Sequence, residues 1–206
     1  MSNLIESLIQ RHTDSIVAGN ISAPAGLCPQ CSKKPETYKL HECRKRFFRY
    51  VVENFVKIAL TLLARWKCPI CQETFTEYPE FALPHKRYVK ADIKRFSKKY
   101  IKDEQQTYAT AVKHDDGTIG YQQNNNEPVE RLLNPATPWR WIGWFGSIAN
   151  TPLKELPELQ SFQVYPAKYK SLRRKKILQA ARALLDLPDY LNDTIFPRFA
   201  IKQALN

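Results

Sequence analysis

Two pairs of cysteines are the residues of this sequence whose type and spacing could do chemistry. They read Cys28-Pro-Gln-Cys31 and Cys68-Pro-Ile-Cys71, with two residues inside each pair. Two thiolates at this spacing can point at one ion from a single tight turn, and two such turns form the closed four-thiolate site typical of structural zinc. Because four sulfurs leave no open position for water or substrate, we expect one structural Zn²⁺ that organises the fold without catalysing a reaction.

Other interpretations of the cysteines remain open. Each pair alone is also the pattern of a redox site or of buried thiols, although neither lies in the βαβ context of a redox motif. His41 or Cys43 could replace one ligand, but we favour their being ordinary strand residues because Cys43 has no partner at knuckle spacing. An odd total of five cysteines fits metal ligation better than a closed disulfide framework.

The chain between the pairs must bring the second pair back beside the first. A 22-residue helix over residues 44–65 would carry the chain about 33 Å away, so that residues 32–43 would have to run almost fully extended. A hairpin returns the chain without strain. We therefore predict antiparallel strands over residues 36–51 and 56–67, turning near Glu53 and Asn54.

The remaining segments predict an α+β protein: an N-terminal zinc ribbon, a β-hairpin with two CPxC knuckles, followed by a mainly helical, helix-turn-helix-like region. Apolar spacing and breakers predict helices at residues 1–17, 89–113, 129–133, 137–148 and 169–185. The predicted divisions are residues 1–26 (helix and linker), 27–88 (ribbon), 89–150 (helix-turn-helix-like domain) and 151–206 (spacer and basic helix).

The charge is strongly positive and arranged in blocks. Thirty-two bases against 20 acids give a net charge of +12, concentrated in residues 33–49, 86–113 and 168–182. This balance favours a polyanionic partner. A hydrophobic share of 43% argues against a disordered chain, and the lack of an apolar run near 18 residues argues against a membrane-spanning one.

Candidate nucleic-acid-binding residues come from these blocks and from the start of the helix at residues 137–148. Asn134 or Thr137 can cap that helix, and Arg140 in its first turn would read base edges in the major groove. The full candidate set is Arg44, Lys45, Arg46, Arg49, Lys86, Arg87, Lys90, Lys94, Arg95, Lys98, Trp139, Arg140, Arg173, Arg174, Lys175 and Lys176.

Four motifs together carry a family resemblance. HECRKRFFR, ARWKCPICQETF, EYPEFALPHKRY and NPATPWRWIGWF resemble poorly characterised bacterial proteins with an N-terminal zinc ribbon and a helix-turn-helix-like part, often associated with transposases and other mobile elements. The resemblance covers about residues 27–148. It implies DNA binding in a mobile-element setting.

These observations predict a zinc-ribbon DNA-binding accessory or target-recognition protein of a transposon. Its expected partners are double-stranded DNA and a transposase or other recombination protein, with RNA as an alternative and no membrane. A second class is a protein-interaction module that docks through EYPEFALP and WRWIGWF. We expect no enzyme, since the sequence contains no P-loop, GxGxxG, HExxH or GxSxG motif. MSNLIESLIQ lacks the features of a secretory signal, which predicts a cytoplasmic protein. The family resemblance implies that it is bacterial and nucleoid-associated.

Overall fold

The computed structural model describes residues 2–52, 55–102, 107–112, 120–122, 128–129, 136–149 and 172–187. The chain forms two compact units, one within residues 1–90 and the other within residues 91–199. The predicted domain boundaries stay predictions. Among the described residues, no helix is long and apolar enough to cross a bilayer.

A three-stranded antiparallel sheet forms the centre of the first unit. Its strands are β1 (Lys39–Val52), β2 (Phe55–Lys67) and β3 (Thr74–Thr76). β1 and β2 pair along their whole length, with one irregularity near His41, and β3 pairs with the end of β2. The two predicted strands are therefore confirmed. The expected turn at Glu53 and Asn54 lies outside the described residues.

Helix α1 (Ser2–Val17) covers one face of this sheet. Its Ile9 packs in a core with Phe48 and Leu63, and all three side chains are buried. A hydrogen bond also holds the helix against the sheet, since the hydroxyl groups of Thr13 and Thr61 lie 2.8 Å apart. α1 thus covers one face of the hairpin and forms a core with it.

The proline-punctuated segment after β3 also contributes to this core. Phe81 and Leu83 are buried, and the Phe81 ring meets the Phe48 ring edge-on at 5.6 Å. The chain then runs along the free edge of β1, where the amide of Arg49 donates to the carbonyl of Arg87 at 2.7 Å. The sequence predicts this segment to lack regular structure, and its apolar residues nevertheless fill the interior.

The second unit is mainly helical. Its elements are α2 (Lys90–Lys102), α3 (Tyr108–Ala111), β4 (Gly120–Gln122), β5 (Pro128–Val129), α4 (Ala136–Ala149) and α5 (Leu172–Asp186). The helices predicted at residues 137–148 and 169–185 correspond to α4 and α5.

Two helix predictions differ from the structure. The predicted helix over residues 89–113 ends at Lys102 in α2, and a new helix begins after Thr107. The break has a local cause, because the Thr107 hydroxyl accepts a hydrogen bond from the amide of Thr110 and caps α3. The helix predicted at residues 129–133 begins at a residue, Val129, that belongs to β5. Its other residues lie outside the described ones.

Aromatic residues form much of the core of the second unit. Phe96 of α2 lies 6.5 Å from Trp141 of α4, measured between ring centres, and Phe145 is fully buried. α4 also packs against α5. The spacing of Trp141, Trp144 and Phe145 suits one buried face of a helix. Trp141 and Phe145 are indeed buried, while Trp144 is half-buried.

Candidate metal centre

The first cysteine pair lies in a tight turn closed by backbone hydrogen bonds. The amide of Cys28 donates to the carbonyl of Lys33, and the amide of Ser32 donates back to the carbonyl of Cys28, both at 2.8 Å. Ser32 needs a left-handed φ of 56° to make the second bond. This turn holds Cys28 and Cys31 on the same side of the chain.

The second pair repeats this turn at the end of the hairpin. The amide of Cys68 donates to the carbonyl of Glu73, and that of Gln72 donates to the carbonyl of Cys68, both at 2.9 Å. The hairpin positions this turn because Lys39 pairs with Lys67, so the chain leaves the first knuckle region and returns directly before Cys68.

The four sulfurs of the two turns converge. All lie within 4.8 Å of one another, and the sulfurs of Cys28 and Cys71 are 3.7 Å apart. A tetrahedral site with metal–sulfur bonds near 2.3 Å separates its sulfurs by about 3.8 Å, whereas a disulfide brings them to about 2.05 Å. The arrangement therefore fits a bound metal ion. His41 and Cys43 are exposed on β1 and do not belong to this group.

Aromatic side chains enclose the buried side of the cluster. Tyr38 packs edge-on against Phe75 at 5.0 Å, and its hydroxyl donates to the carbonyl of Gly26 at 3.0 Å. Burial and the neighbouring sulfur of Cys28 raise the pKa of Tyr38 to about 12. Trp66 completes the enclosure. Such a dry shell limits the access of water to the site.

Electrostatics favour a cation between the sulfurs. Burial raises the pKa of Cys28. Burial also acts to raise the pKa of Cys68, yet hydrogen bonds from the backbone amides of Cys71 and Ile70 and from the Cys28 thiol lower it to about 7. Four thiolates this close would repel one another without a cation, and metal binding releases their protons. A tetrahedron of four thiolates suits zinc or iron.

The predicted basic residues on β1 differ in accessibility. Arg44 and Lys45 are exposed. Arg44 shares the Glu42 carboxylate with Arg65, at 2.7 and 2.8 Å. Lys45 lies on the opposite face of the strand from these groups and is available to a phosphate.

Arg46 is less available than the sequence predicts, and Arg49 is half-buried. Arg46 pairs with Thr61 on the face that α1 covers, and its Nε is buried without a hydrogen-bond partner. The guanidinium of Arg49 lies 5.9 Å from the ring centre of Tyr88. Arg87 is exposed nearby, whereas Lys86 is half-buried and burial lowers its pKa.

The basic residues of α2 lie opposite its buried face. Lys94, Lys98 and Arg95 all keep part of their side chains in solvent, as does Lys90 at the first turn. Arg95 also pairs with Asp92 at 2.9 Å. The helix therefore presents a basic surface.

At the start of α4, Trp139 and Arg140 are both exposed, with Trp139 at 53%. Both therefore lie where the sequence predicts a recognition surface. The basic block of α5 has a helical backbone. The structure does not describe the side chains of this block, which are those of Arg173, Arg174, Lys175 and Lys176. All predicted nucleic-acid contacts remain predictions.

An exposed apolar cluster was missed by the sequence reasoning. Phe47, Ile58 and Leu60 are exposed at 61%, 52% and 47% on the hairpin. Apolar residues alternate along residues 56–66, as is typical of a strand, but nothing in that pattern indicates which face another element covers.

Comparison with known proteins matches part of the chain to a family model. Residues 28–119 match the family model described as a domain of unknown function, DUF6431. The match begins at Cys28 and contains both cysteine pairs. The chain matches no curated protein and no solved structure.

Proposed function

We propose that this protein is a zinc-ribbon DNA-binding factor of a bacterial mobile element, acting as an accessory or target-recognition protein. The observation that carries the proposal is the convergence of Cys28, Cys31, Cys68 and Cys71 within 4.8 Å at the base of a basic β-hairpin. Zinc would fix the two knuckles, and through them the hairpin, without taking part in a reaction.

Charge and exposure support the DNA-binding part of the proposal. Lys45, Arg87 and Arg140 present cations at the surface, and the chain carries a net charge of +12. Cations of this kind bind phosphates and fix the orientation of a protein on DNA, while contacts to base edges supply sequence specificity. In the proposed helix-turn-helix-like part, Arg140 near the start of α4 supplies those contacts.

The mobile-element setting rests on the resemblance of four sequence motifs. Two of these motifs contain EYPEFALP and WRWIGWF, the segments through which the alternative docking module would bind a partner. In the structure Phe81 and Leu83 of the first motif and Trp141 and Phe145 of the second are buried in the chain itself. This burial disfavours docking through EYPEFALP, whereas Trp139 of WRWIGWF is 53% exposed and remains accessible to a partner.

A salt titration tests the proposal. Binding of the zinc-loaded chain to a labelled duplex is measured by fluorescence anisotropy at several salt concentrations. Each phosphate contact contributes about −0.9 to the slope of log affinity against log salt, so several contacts give a steep decline. A flat dependence contradicts the proposal, and tighter binding to structured RNA than to duplex DNA favours the RNA alternative.

A further inference from the structure

In the middle of the hairpin, one face is left uncovered by α1, although Val56 and Ala64, nearer the two ends, are buried on the same side. Residues paired across β1 and β2 point to the same side, and Phe47 pairs with Leu60 while Arg49 pairs with Ile58. Phe48, the neighbour of Phe47, points to the opposite side and is buried beneath α1. We call the exposed surface the open face, and define it by Lys45, Phe47, Arg49, Ile58 and Leu60.

The open face combines an aromatic platform with aliphatic side chains. Phe47 is 61% exposed, and Ile58 and Leu60 beside it are about half exposed. Exposed apolar groups that are contiguous on one sheet face mark an interaction surface more often than scattered ones do. Another flat, weakly polar group can stack on an exposed aromatic ring that is bordered by aliphatic groups.

The charges on this face have one sign. Lys45 and Arg49 lie two residues to either side of Phe47 on the same strand, so each is about 6.7 Å away along β1. The described residues of this face, from Cys43 to Val51 and from Val56 to Leu62, include no acid. The aromatic ring is thus bracketed by cations along a straight line.

We infer that the open face binds unpaired nucleotides of a single strand, with a base stacked on Phe47 and the phosphates on either side held by Lys45 and Arg49. Every base has a π-face that stacks on an aromatic side chain, and a basic groove that tracks the backbone is the usual companion of such a platform. In an intact duplex the base faces are stacked inside the helix and cannot reach a flat sheet. The inference rests on the proposed nucleic-acid binding and adds that this face recognises single-stranded rather than double-stranded nucleic acid.

Charge disfavours a second copy of the chain as the occupant. A symmetric dimer through this face would bring Lys45 and Arg49 of one protomer against the same cations of its partner, with no acid between them. Like charges in such contact oppose association. A polyanion with flat apolar groups satisfies both features of the face.

The test compares two nucleic acids and three variants of the full, zinc-loaded chain. Anisotropy measures binding to a thymidine homopolymer about 20 nucleotides long and to a duplex of equal length. The variants are Phe47→Ala, Phe47→Trp and, as a control, Leu4→Ala, which removes an apolar side chain of the same 61% exposure from α1. Circular dichroism confirms that each variant is folded.

We expect Phe47→Ala to weaken binding of the homopolymer by about five- to 150-fold, the equivalent of one lost stacking contact. Phe47→Trp and Leu4→Ala should retain the wild-type affinity, and duplex binding should change by less than about twofold in all three. A homopolymer containing 5-bromodeoxyuridine should photo-crosslink to Phe47 in the unmodified chain, which gives a result independent of how the variants fold.

Unchanged homopolymer binding in folded Phe47→Ala, or a crosslink that maps outside the hairpin, overturns the inference. Duplex binding with a steep salt dependence would then still support the proposed function. Binding to neither nucleic acid overturns both. A dimer in sedimentation that Phe47→Ala converts to monomers, with homopolymer binding unaffected, assigns the face to a second copy and also overturns the inference.

Discussion

Ser32 and Gln72 hold the same unusual backbone conformation at equivalent places in the two knuckles. Each follows the second cysteine of its pair, and their φ angles are 56° and 65°. In both, the left-handed conformation turns the amide back to the carbonyl of the first cysteine. The two cysteine pairs are therefore one structural unit used twice, and each unit holds a residue in a conformation that side chains other than glycine adopt at a cost.

The left-handed conformation predicts a larger loss of stability from one substitution at Ser32 than from another. Ser32→Val should lower the free energy of unfolding by about 1–2 kcal/mol, because a β-branched side chain is poorly tolerated at positive φ. Ser32→Gly should change it by less than about 1 kcal/mol, since relief of the strained conformation offsets the extra entropy of glycine in the unfolded chain. Denaturant unfolding of the metal-loaded protein measures both. Lys39→Val, in an exposed strand position, is the control, and equal losses at Ser32 and Lys39 would contradict the prediction.

The four-thiol site predicts one zinc ion per chain in freshly purified protein, measured by elemental analysis. Cys68→Ser should abolish binding of the ion and destabilise the first unit by several kcal/mol, because metal binding contributes directly to the folding of such sites. Cys43→Ser should retain both the ion and the stability, since Cys43 is exposed and lies outside the cluster. Iron in place of zinc would correct the identity of the metal, and a full metal content in Cys68→Ser would contradict the site.

Removal of the metal with a chelator tests whether the ion is needed for the fold and for DNA binding. Removing the ion should unfold the knuckles and abolish duplex binding together, as followed by circular dichroism and anisotropy on the same sample. Duplex binding that survives loss of the ion would place the DNA-binding surface outside the metal-dependent part of the chain.

The metal ligands and the hairpin could both be predicted from sequence because they depend on each other. Knuckle spacing identifies the four sulfurs, and the need to bring Cys68 back to Cys28 selects a hairpin over a helix. Both arguments use only local geometry and chain length. The start of α3 is also set locally by Thr107 and Thr110, but Thr110 stands where the usual capping box has Glu or Gln, so the sequence does not display the usual signature.

The covered side of the hairpin could not be predicted in this way. Phe47 and Phe48 are adjacent, equally apolar and on opposite faces of β1, yet one is 61% exposed and the other is fully buried. The difference arises from α1 and Phe81, both more than 30 residues away along the chain. Contacts at such separations leave no periodic signal within the strand. The same limit explains why Arg46 was predicted as a phosphate contact although its face is covered.

The position of His12 predicts a dependence of stability on pH. Its Nε2 lies 3.0 Å from the carbonyl of Leu62, and its ring meets Phe81 edge-on at 5.6 Å. Burial lowers the pKa of His12, and the hydrogen bond to Leu62 opposes this only in part. Between its lowered pKa and the ordinary value of 6.5, the folded state binds fewer protons than the unfolded state. The free energy of unfolding should therefore fall as the pH is lowered through about 6.5.

His12→Gln tests this dependence, because glutamine can still donate to the Leu62 carbonyl but does not titrate. Its stability should vary less between about pH 7 and 5 than that of the unmodified protein. His41→Gln, at an exposed position on β1, should keep the wild-type dependence. The same slope in all three proteins would show that His12 does not contribute.

Arg140 and Lys98 should affect DNA binding in different ways. Arg140 is exposed near the start of α4, where a recognition helix meets base edges, whereas Lys98 lies on the basic surface of α2 and would contact phosphate. Once a preferred duplex has been selected from a random pool, Arg140→Ala should weaken binding to it by about 1–3 kcal/mol and leave unrelated duplexes nearly unchanged. Lys98→Ala should weaken binding to both and reduce the salt slope by about 0.9. Equal losses on preferred and unrelated duplexes in Arg140→Ala would assign Arg140 to the phosphate backbone, and the sequence-reading role of α4 would then be wrong.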